Sequence, residues 1–258
     1  VQHIKDGNPM RKKFNLSKNE IIILVFLPLV SFDWRLFIVD PLLGNSIFLQ
    51  DDLYYYFKIA KNFWSYYYFT FDGIHETNGF HPLWQFLLVV SAFFFSDASF
   101  IKIALLINII LILLFLQLFR WFLLENKLSL ISLYVTVIIL CAFPATGQFL
   151  FNGMETSLGA FFALGAFCIF SKTVKDNSNT VRDGIYFGAL TGLAMLSRLD
   201  IFVIFLIPYF YLFIYFRKIF FIGAIVHLFL LTPFLLWVHS QNNSIVPISG
   251  MVKSYYSD

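Results

Sequence analysis

Apolar runs with the length of membrane helices alternate along the chain with short polar breaks. A spanning helix needs about 20 mostly apolar residues, and Ile21–Val39, Phe100–Leu123, Leu128–Pro144, Ser157–Phe170 and Ile219–Val238 read as spans. The stretch Gly184–Phe216 is too long for one, since at about 1.5 Å per residue it would reach about 50 Å. Arg198 and Asp200 interrupt it, so it divides into two short helices, and the count becomes seven. Pro82–Phe95 is too short to span and would invert every later charge cluster if it did. It predicts a helix lying at or dipping into the outer face, with Pro82 at the first helical position, where a missing N–H costs nothing. Asp51–Ser65 predicts another helix in the same loop, and Asp72-Gly73 and Asn78-Gly79 are turn dipeptides. The pattern describes an all-α polytopic membrane protein of about seven transmembrane helices. Residues 1–20 form a cytoplasmic segment, 21–258 the transmembrane module, and 40–99 a long first extracytoplasmic loop with juxtamembrane helices.

Composition agrees. Of 258 residues, 59% are hydrophobic and 13% charged, about half the charge of an ordinary soluble domain. Mean hydropathy is +0.78. That excludes a disordered chain, a nucleic-acid-binding domain and an ordinary cytosolic enzyme. Cys141 and Cys168 lie in apolar runs without metal-binding spacing, where a thiol behaves as a small hydrophobe. Residues 1–9 precede Met10 and are set aside. No small-residue cleavage site follows Ile21–Val30, so the first helix reads as uncleaved.

Charge orients the spans. With Arg11, Lys12, Lys13 and Lys18 in the cytoplasm, alternate connections hold Arg120 and Lys127, then Lys172, Lys175 and Arg182, then Arg217 and Lys218. Every dense basic cluster then lies inside, as the positive-inside rule requires. Asp40, Asp51, Asp52, Asp72, Glu76, Asp97 and Glu155 fall outside.

Five segments offer chemistry. Asp51-Asp52 opens a helix outside the first span; the pair reads either as a capped, solvated helix end or as a general base with a divalent metal nearby. Helical spacing puts Asp51, Tyr55, Lys58 and Asn62 on one face. The surrounding Tyr54 to Phe57 and Trp64 to Phe69 read mainly as anchors at the membrane–water boundary. His81, before Pro82, suits capping or donation to a phosphate. Glu155, opening the fourth span, reads as a cap favoured by the helix dipole or as a second carboxylate for metal or acceptor. Arg198 and Asp200 read as a mutual pairing or as a site in which Arg198 meets a phosphate. Lys253, beyond the last span, reads as an interfacial lysine or a headgroup contact.

The strings Asp51-Asp52-Leu53-Tyr54-Tyr55-Tyr56-Phe57-Lys58, Phe71-Asp72-Gly73-Ile74 and Thr77-Asn78-Gly79-Phe80-His81-Pro82-Leu83-Trp84 resemble the first ectoloop of bacterial GT-C-fold membrane glycosyltransferases. These are relatives of protein O-mannosyltransferases and lipid A aminoarabinose transferases. Gly153-Met154-Glu155-Thr156, Ser197-Arg198-Leu199-Asp200 and the segment Pro247 to Lys253 look like later signatures of the same group. The resemblance implies a polyprenyl-phosphate-linked sugar as donor, a lipid, glycan or protein acceptor, membrane lipids as surroundings, and transfer on the extracytoplasmic side of the bacterial plasma membrane. It implies Asp51 as base with Asp52 as its neighbour. His81, Glu155, Arg198, Asp200, Lys253 and Lys58 become substrate-binding candidates. It leaves open a divalent cation (Mg or Mn) at Asp52 and Glu155, since some relatives use one and others do not. Family members are commonly longer, so a C-terminally truncated chain is expected. A transporter or flippase subunit for a lipid-linked or anionic substrate is the rival reading, and an inactive fragment of a longer transferase is a third.

Overall fold

The computed structural model describes residues 18–26, 51–95, 97–142, 153–244 and 246–248, and every regular element among them is helical. In chain order these are α1 (Lys18–Ile21, continuing as a π turn over Ile22–Phe26), α2 (Asp51–Tyr66), α3 (Pro82–Phe94), α4 (Asp97–Glu125) and α5 (Ile131–Ala142). They are followed by α6 (Thr156–Lys175), α7 (Val181–Ser197), α8 (Phe202–Tyr215) and α9 (Arg217–Asn242). A 3₁₀ turn at Leu199–Ile201 separates α7 from α8, where Arg198 and Asp200 interrupt the apolar run. Pro82 occupies the start of α3, as its missing N–H favours. Most of the expected Ile21–Val39 span, and both ends of Leu128–Pro144, lie outside the described residues or the observed helices.

Three of these helices, α4, α6 and α9, are long and apolar enough to cross a membrane. The α7 helix has 17 residues and α8 has 14; at 1.5 Å per residue they extend about 26 and about 21 Å. The outward surface is apolar: on α8 Ile207 is 80% exposed, and on α9 Phe229 is 75% exposed. Such a surface has lipid as its natural solvent.

The helices alternate in direction, and contacts at their ends prove it. The end of α4 meets the end of α6 through Lys175 Nζ and Glu125 Oε1 at 3.4 Å and Ser171 donating to Asn126 Oδ1 at 2.7 Å. The start of α7 packs there against the start of α9, with Ile222 filling the space beside Gly184. The opposite end gathers the start of α4 (Phe57 against Phe100, ring centroids 4.7 Å apart), the start of α6, the end of α7 and the end of α9, whose Trp237 packs on Phe69 and Phe80. Arg120, Lys127, Lys172, Lys175, Arg182, Arg217 and Lys218 therefore share one end of the bundle, as expected from charge. Helices α2 and α3 pack on each other across the other end, over a core containing Trp84, Leu88, Phe100 and Leu105.

The tightest helix pair is α7 with α9. Gly184, Gly188 and Gly192 recur every four residues along one face of α7, the small-residue spacing that lets membrane helices approach backbone to backbone. A Cβ at Gly188 would stand 2.2 Å from the Gly223 carbonyl oxygen, which no side-chain rotation can relieve. At Gly165 on α6 a Cβ would meet only the flexible end of Leu190, at 3.3 Å. Gly188→Ala should therefore lower the thermal unfolding midpoint in detergent, at an overpacking cost of about 1–3 kcal/mol. Gly165→Ala should stay near wild type, because the helix propensity gained offsets a slight shift of Leu190. Equal midpoints for the two variants would refute the backbone contact.

Candidate functional site

At the end of the bundle opposite the basic clusters, four chain segments meet. Gly153 turns with φ +78°, a conformation glycine adopts without strain, and Leu53 at the start of α2 fills the space beside it. Asn108 of α4 donates to the Met154 carbonyl at 3.1 Å and pins the same turn. Glu155 follows as the residue preceding α6, with no side-chain capping hydrogen bond. Its carboxylate is instead buried, with 5% of the side chain exposed. Gly159, one turn further along α6, leaves room for Ile201 and for the Cβ atoms of Ser197 and Arg198. That is why the end of α7 comes close to Glu155.

Arg198 emerges there. Its Nε donates to Asp200 Oδ1 at 2.9 Å and Oδ2 at 3.2 Å, and its Nη1 donates to Thr156 Oγ1 at 3.1 Å. The same Nη1 lies 3.8 Å from Glu155 Oε1. The mutual pairing and the approach to Glu155 thus coexist in one side chain. His81 precedes α3, yet its side chain makes no capping hydrogen bond. Its Nδ1 accepts from the Leu199 backbone N–H at 3.4 Å, and its Nε2 lies 3.6 Å from Glu155 Oε1. With Nδ1 accepting, neutral His81 carries its proton on Nε2, facing the carboxylate.

Tyr56 closes the site from α2. Its hydroxyl accepts from the His81 backbone N–H at 3.0 Å, and Gln85 donates to the Tyr56 carbonyl at 3.2 Å. The hydroxyl lies beside Glu155 but not in full hydrogen-bond geometry with Oε2, which is buried without a hydrogen-bond partner. Burial first, then the nearby Glu155 charge, pushes the Tyr56 phenol well above its ordinary value, so it stays a neutral donor. Burial likewise raises the Glu155 carboxyl, against the lowering influence of Arg198. The distances of 3.6 and 3.8 Å to His81 and Arg198 exceed hydrogen-bond length, so the imidazole N–H and the guanidinium face the carboxylate without solvating it.

The remaining candidates fall as follows. Asp52 is exposed, and its charge reaches Tyr56 and Glu155. Asp51 is the first residue of α2; its side chain, and all of Lys253, lie outside the described residues. Lys58 is exposed on α2 and makes no contact with the cluster. Tyr55 and Asn62 do share a face, which holds the loop: Tyr55 bonds Thr77 at 2.8 Å, and Asn62 donates to the carbonyls of Thr70 and Phe71. Tyr56 and Phe57 are buried, so these two aromatics are core rather than anchors, whereas Tyr67 is 79% exposed.

No group of three or more His, Cys, Asp or Glu side chains with metal-binding geometry occurs among the described residues. The neighbours of Glu155 Oε1 are the Arg198 guanidinium, which supplies the positive charge, and the His81 Nε2–H.

Sequence reasoning passed over Tyr56 and Asn78. Leu53, Tyr56, Phe57 and Ala60 follow helical spacing and would have marked Tyr56 as inward. Asn78 is fully buried and its Oδ1 accepts from the Ile248 backbone N–H at 2.9 Å, tying the first loop to the segment after α9. A second polar cluster lies inside the bundle. Thr191 Oγ donates to the carbonyls of Phe187 and Gly188, leaving it to accept from the Tyr209 hydroxyl at 2.8 Å and His227 Nδ1–H at 2.9 Å. No family model, curated protein or solved structure matches the chain.

The raised Glu155 carboxyl makes a signed prediction. The folded state binds this proton more tightly than the unfolded chain, so stability falls as pH rises from the ordinary carboxylate range through the raised value. Glu155→Gln cannot ionise and should escape that loss. Its thermal midpoint in detergent, relative to wild type, should climb as pH rises above the ordinary carboxylate range of about 4. A difference that stays constant over that range would show that burial does not control this group.

Proposed function

We propose that the chain is a membrane glycosyltransferase that moves a sugar from a polyprenyl-phosphate-linked donor to an acceptor hydroxyl, on the extracytoplasmic face of the bacterial plasma membrane. One observation carries the reading: His81, Glu155 and Arg198, from segments far apart in sequence, meet within 3.6–3.8 Å at one end of the helices. A carboxylate flanked by a guanidinium and an imidazole N–H suits a sugar phosphate, with the guanidinium and N–H for the phosphate and the carboxylate for a hydroxyl. The arrangement sits opposite the basic clusters, which the positive-inside rule assigns to the cytoplasm. Seven spans remain the expected topology.

In this mechanism the acceptor oxygen attacks the anomeric carbon of the donor. The anomeric C–O bond to phosphate breaks, its electron pair passes to the phosphate oxygen, and polyprenyl phosphate leaves. Asp51, at the start of α2, takes the acceptor proton, with Asp52 supporting its negative field. Arg198 and the His81 Nε2–H stabilise the leaving phosphate, and Asp200 holds the guanidinium in position. The open Oε2 of Glu155 receives a hydroxyl of donor or acceptor. Apo contacts of 3.6–3.8 Å are of the kind that tighten when substrate binds.

A transporter remains the competing reading, and one observation favours it: His227 is an ionisable group held inside the bundle by Thr191. Membrane vesicles with matched expression separate the two, with polyprenyl-phosphate hexoses and pentoses as donors. Asp51→Asn should abolish transfer. Arg198→Ala should lower it by about 10²–10³-fold, the loss typical of one preorganised charge-stabilising donor, and Arg198→Lys should recover only part. Undiminished transfer in Arg198→Ala would refute the site, and substrate flux without any transfer would favour the transporter.

A further inference from the structure

At the basic end of the bundle, opposite the site, a cavity of about 660 Å³ opens between α4, α6 and α7. Its size is that of small-ligand pockets. Trp121 lines it from α4, Lys172 from α6, Asp176 from the following turn, and Arg182 and Tyr186 from α7. Since α4 and α6 are long enough to span, their last turns stand at headgroup depth, where tryptophan and tyrosine are favoured.

The charges around it are balanced but not all used. Glu125 is engaged by Lys175. Asp183 accepts from the Ser178 and Thr180 hydroxyls. Lys172 and Asp176, by contrast, are exposed at the rim, and neither side chain has a hydrogen bond or ion pair among the described residues. They do not reach each other, although only one helical turn separates them. The Arg182 guanidinium carbon lies 5.1 Å from the Tyr186 ring centroid, and its Nε donates to the Tyr186 hydroxyl at 3.1 Å. That contact uses Nε and leaves its terminal N–H groups without a hydrogen bond among the described residues.

We propose that this cavity binds the headgroup of a zwitterionic phospholipid carrying a primary ammonium. The phosphodiester meets Lys172 and the terminal N–H groups of Arg182, and the ammonium meets the Asp176 carboxylate. The glycerol lies against Trp121. Among the residues lining the cavity, Lys172 and Arg182 face Glu125, Asp176 and Asp183, and Lys175 is held by Glu125, so the lining itself carries no excess positive charge for a plain anion. A choline headgroup presents no N–H to Asp176. Bilayer phosphatidylethanolamine supplies the required chemistry.

The test is native mass spectrometry of the purified full chain in detergent. It is titrated with phosphatidylethanolamine, phosphatidylcholine and phosphatidylglycerol of identical acyl chains. The ethanolamine lipid should be retained about fivefold or more over the other two, a difference of roughly 1 kcal/mol. Lys172→Glu and Asp176→Lys should each erase the preference, with unfolding midpoints unchanged because both positions are exposed. Asp176→Lys should also gain affinity for phosphatidylglycerol. Equal retention of the three lipids by the wild type, or variants that keep the preference, would overturn the proposal. So would water-soluble O-phosphoethanolamine binding as tightly as the lipid, which would make the occupant a soluble phosphate compound. None of these outcomes depends on sugar transfer.

Discussion

The backbone contact between α7 and α9 governs the positions of groups far from it. With a Gly188 Cβ excluded by the Gly223 carbonyl, the two helices have little freedom to slide or separate. Following α7 to its end delivers Ser197 and Arg198 to the turn beside Glu155. Following α9 delivers Trp237 to Phe69 and Phe80, which hold the loop carrying His81. Gly159 repeats the device on a smaller scale, giving up its side chain so that Ile201 and Arg198 can approach α6. Small residues here trade local propensity for the closeness of polar groups that sequence separates widely.

The balance at Glu155 then follows from magnitudes. A unit charge pair at 3.8 Å is worth about 4 kcal/mol at an effective dielectric constant of about 20. Removing a carboxylate from water costs several kcal/mol, and no hydrogen bond to Oε2 repays it. The two quantities are close, and Arg198 divides its attraction between Glu155 and the nearer Asp200. Burial wins, and the carboxyl titrates high. A group poised in this way is sensitive to any change in burial or in the position of Arg198.

Helix positions were legible because each apolar run carries its own punctuation: Pro82 starts α3, and Arg198 with Asp200 breaks the long run after Gly184. Charge alone gave the alternation that end-to-end contacts bear out. The site was only half legible. Local sequence permits a cap at both His81 and Glu155, and nothing short of the fold reveals that neither side chain caps. Tyr56 was hidden by its neighbours, because three consecutive tyrosines read as one interfacial belt although helical rotation points them differently. The contact of Ile248 with Asn78 spans 170 residues and has no local signature. The glycine stripe was legible and was passed over, since apolar counting rewards large residues and treats glycine as neutral.

The chemistry gathers at helix ends for a reason that belongs to the lipid solvent. Inside a bilayer every backbone group must be bonded within its helix, so polar invention is cheapest where helices stop. His81 precedes α3, Glu155 precedes α6 and Asp51 starts α2, so three helix N-termini with partial positive charge gather near Glu155. Arg198 closes α7 at its C-terminus, where a cation offsets the opposite partial charge. Glu155 and Arg198 are thereby each matched to the dipole beside them. The Leu199 N–H, which would otherwise be an orphan of the break between α7 and α8, bonds the ring of His81 instead. The interruption that divides an overlong apolar run thus also sets the histidine tautomer, and the same few residues serve topology and chemistry together.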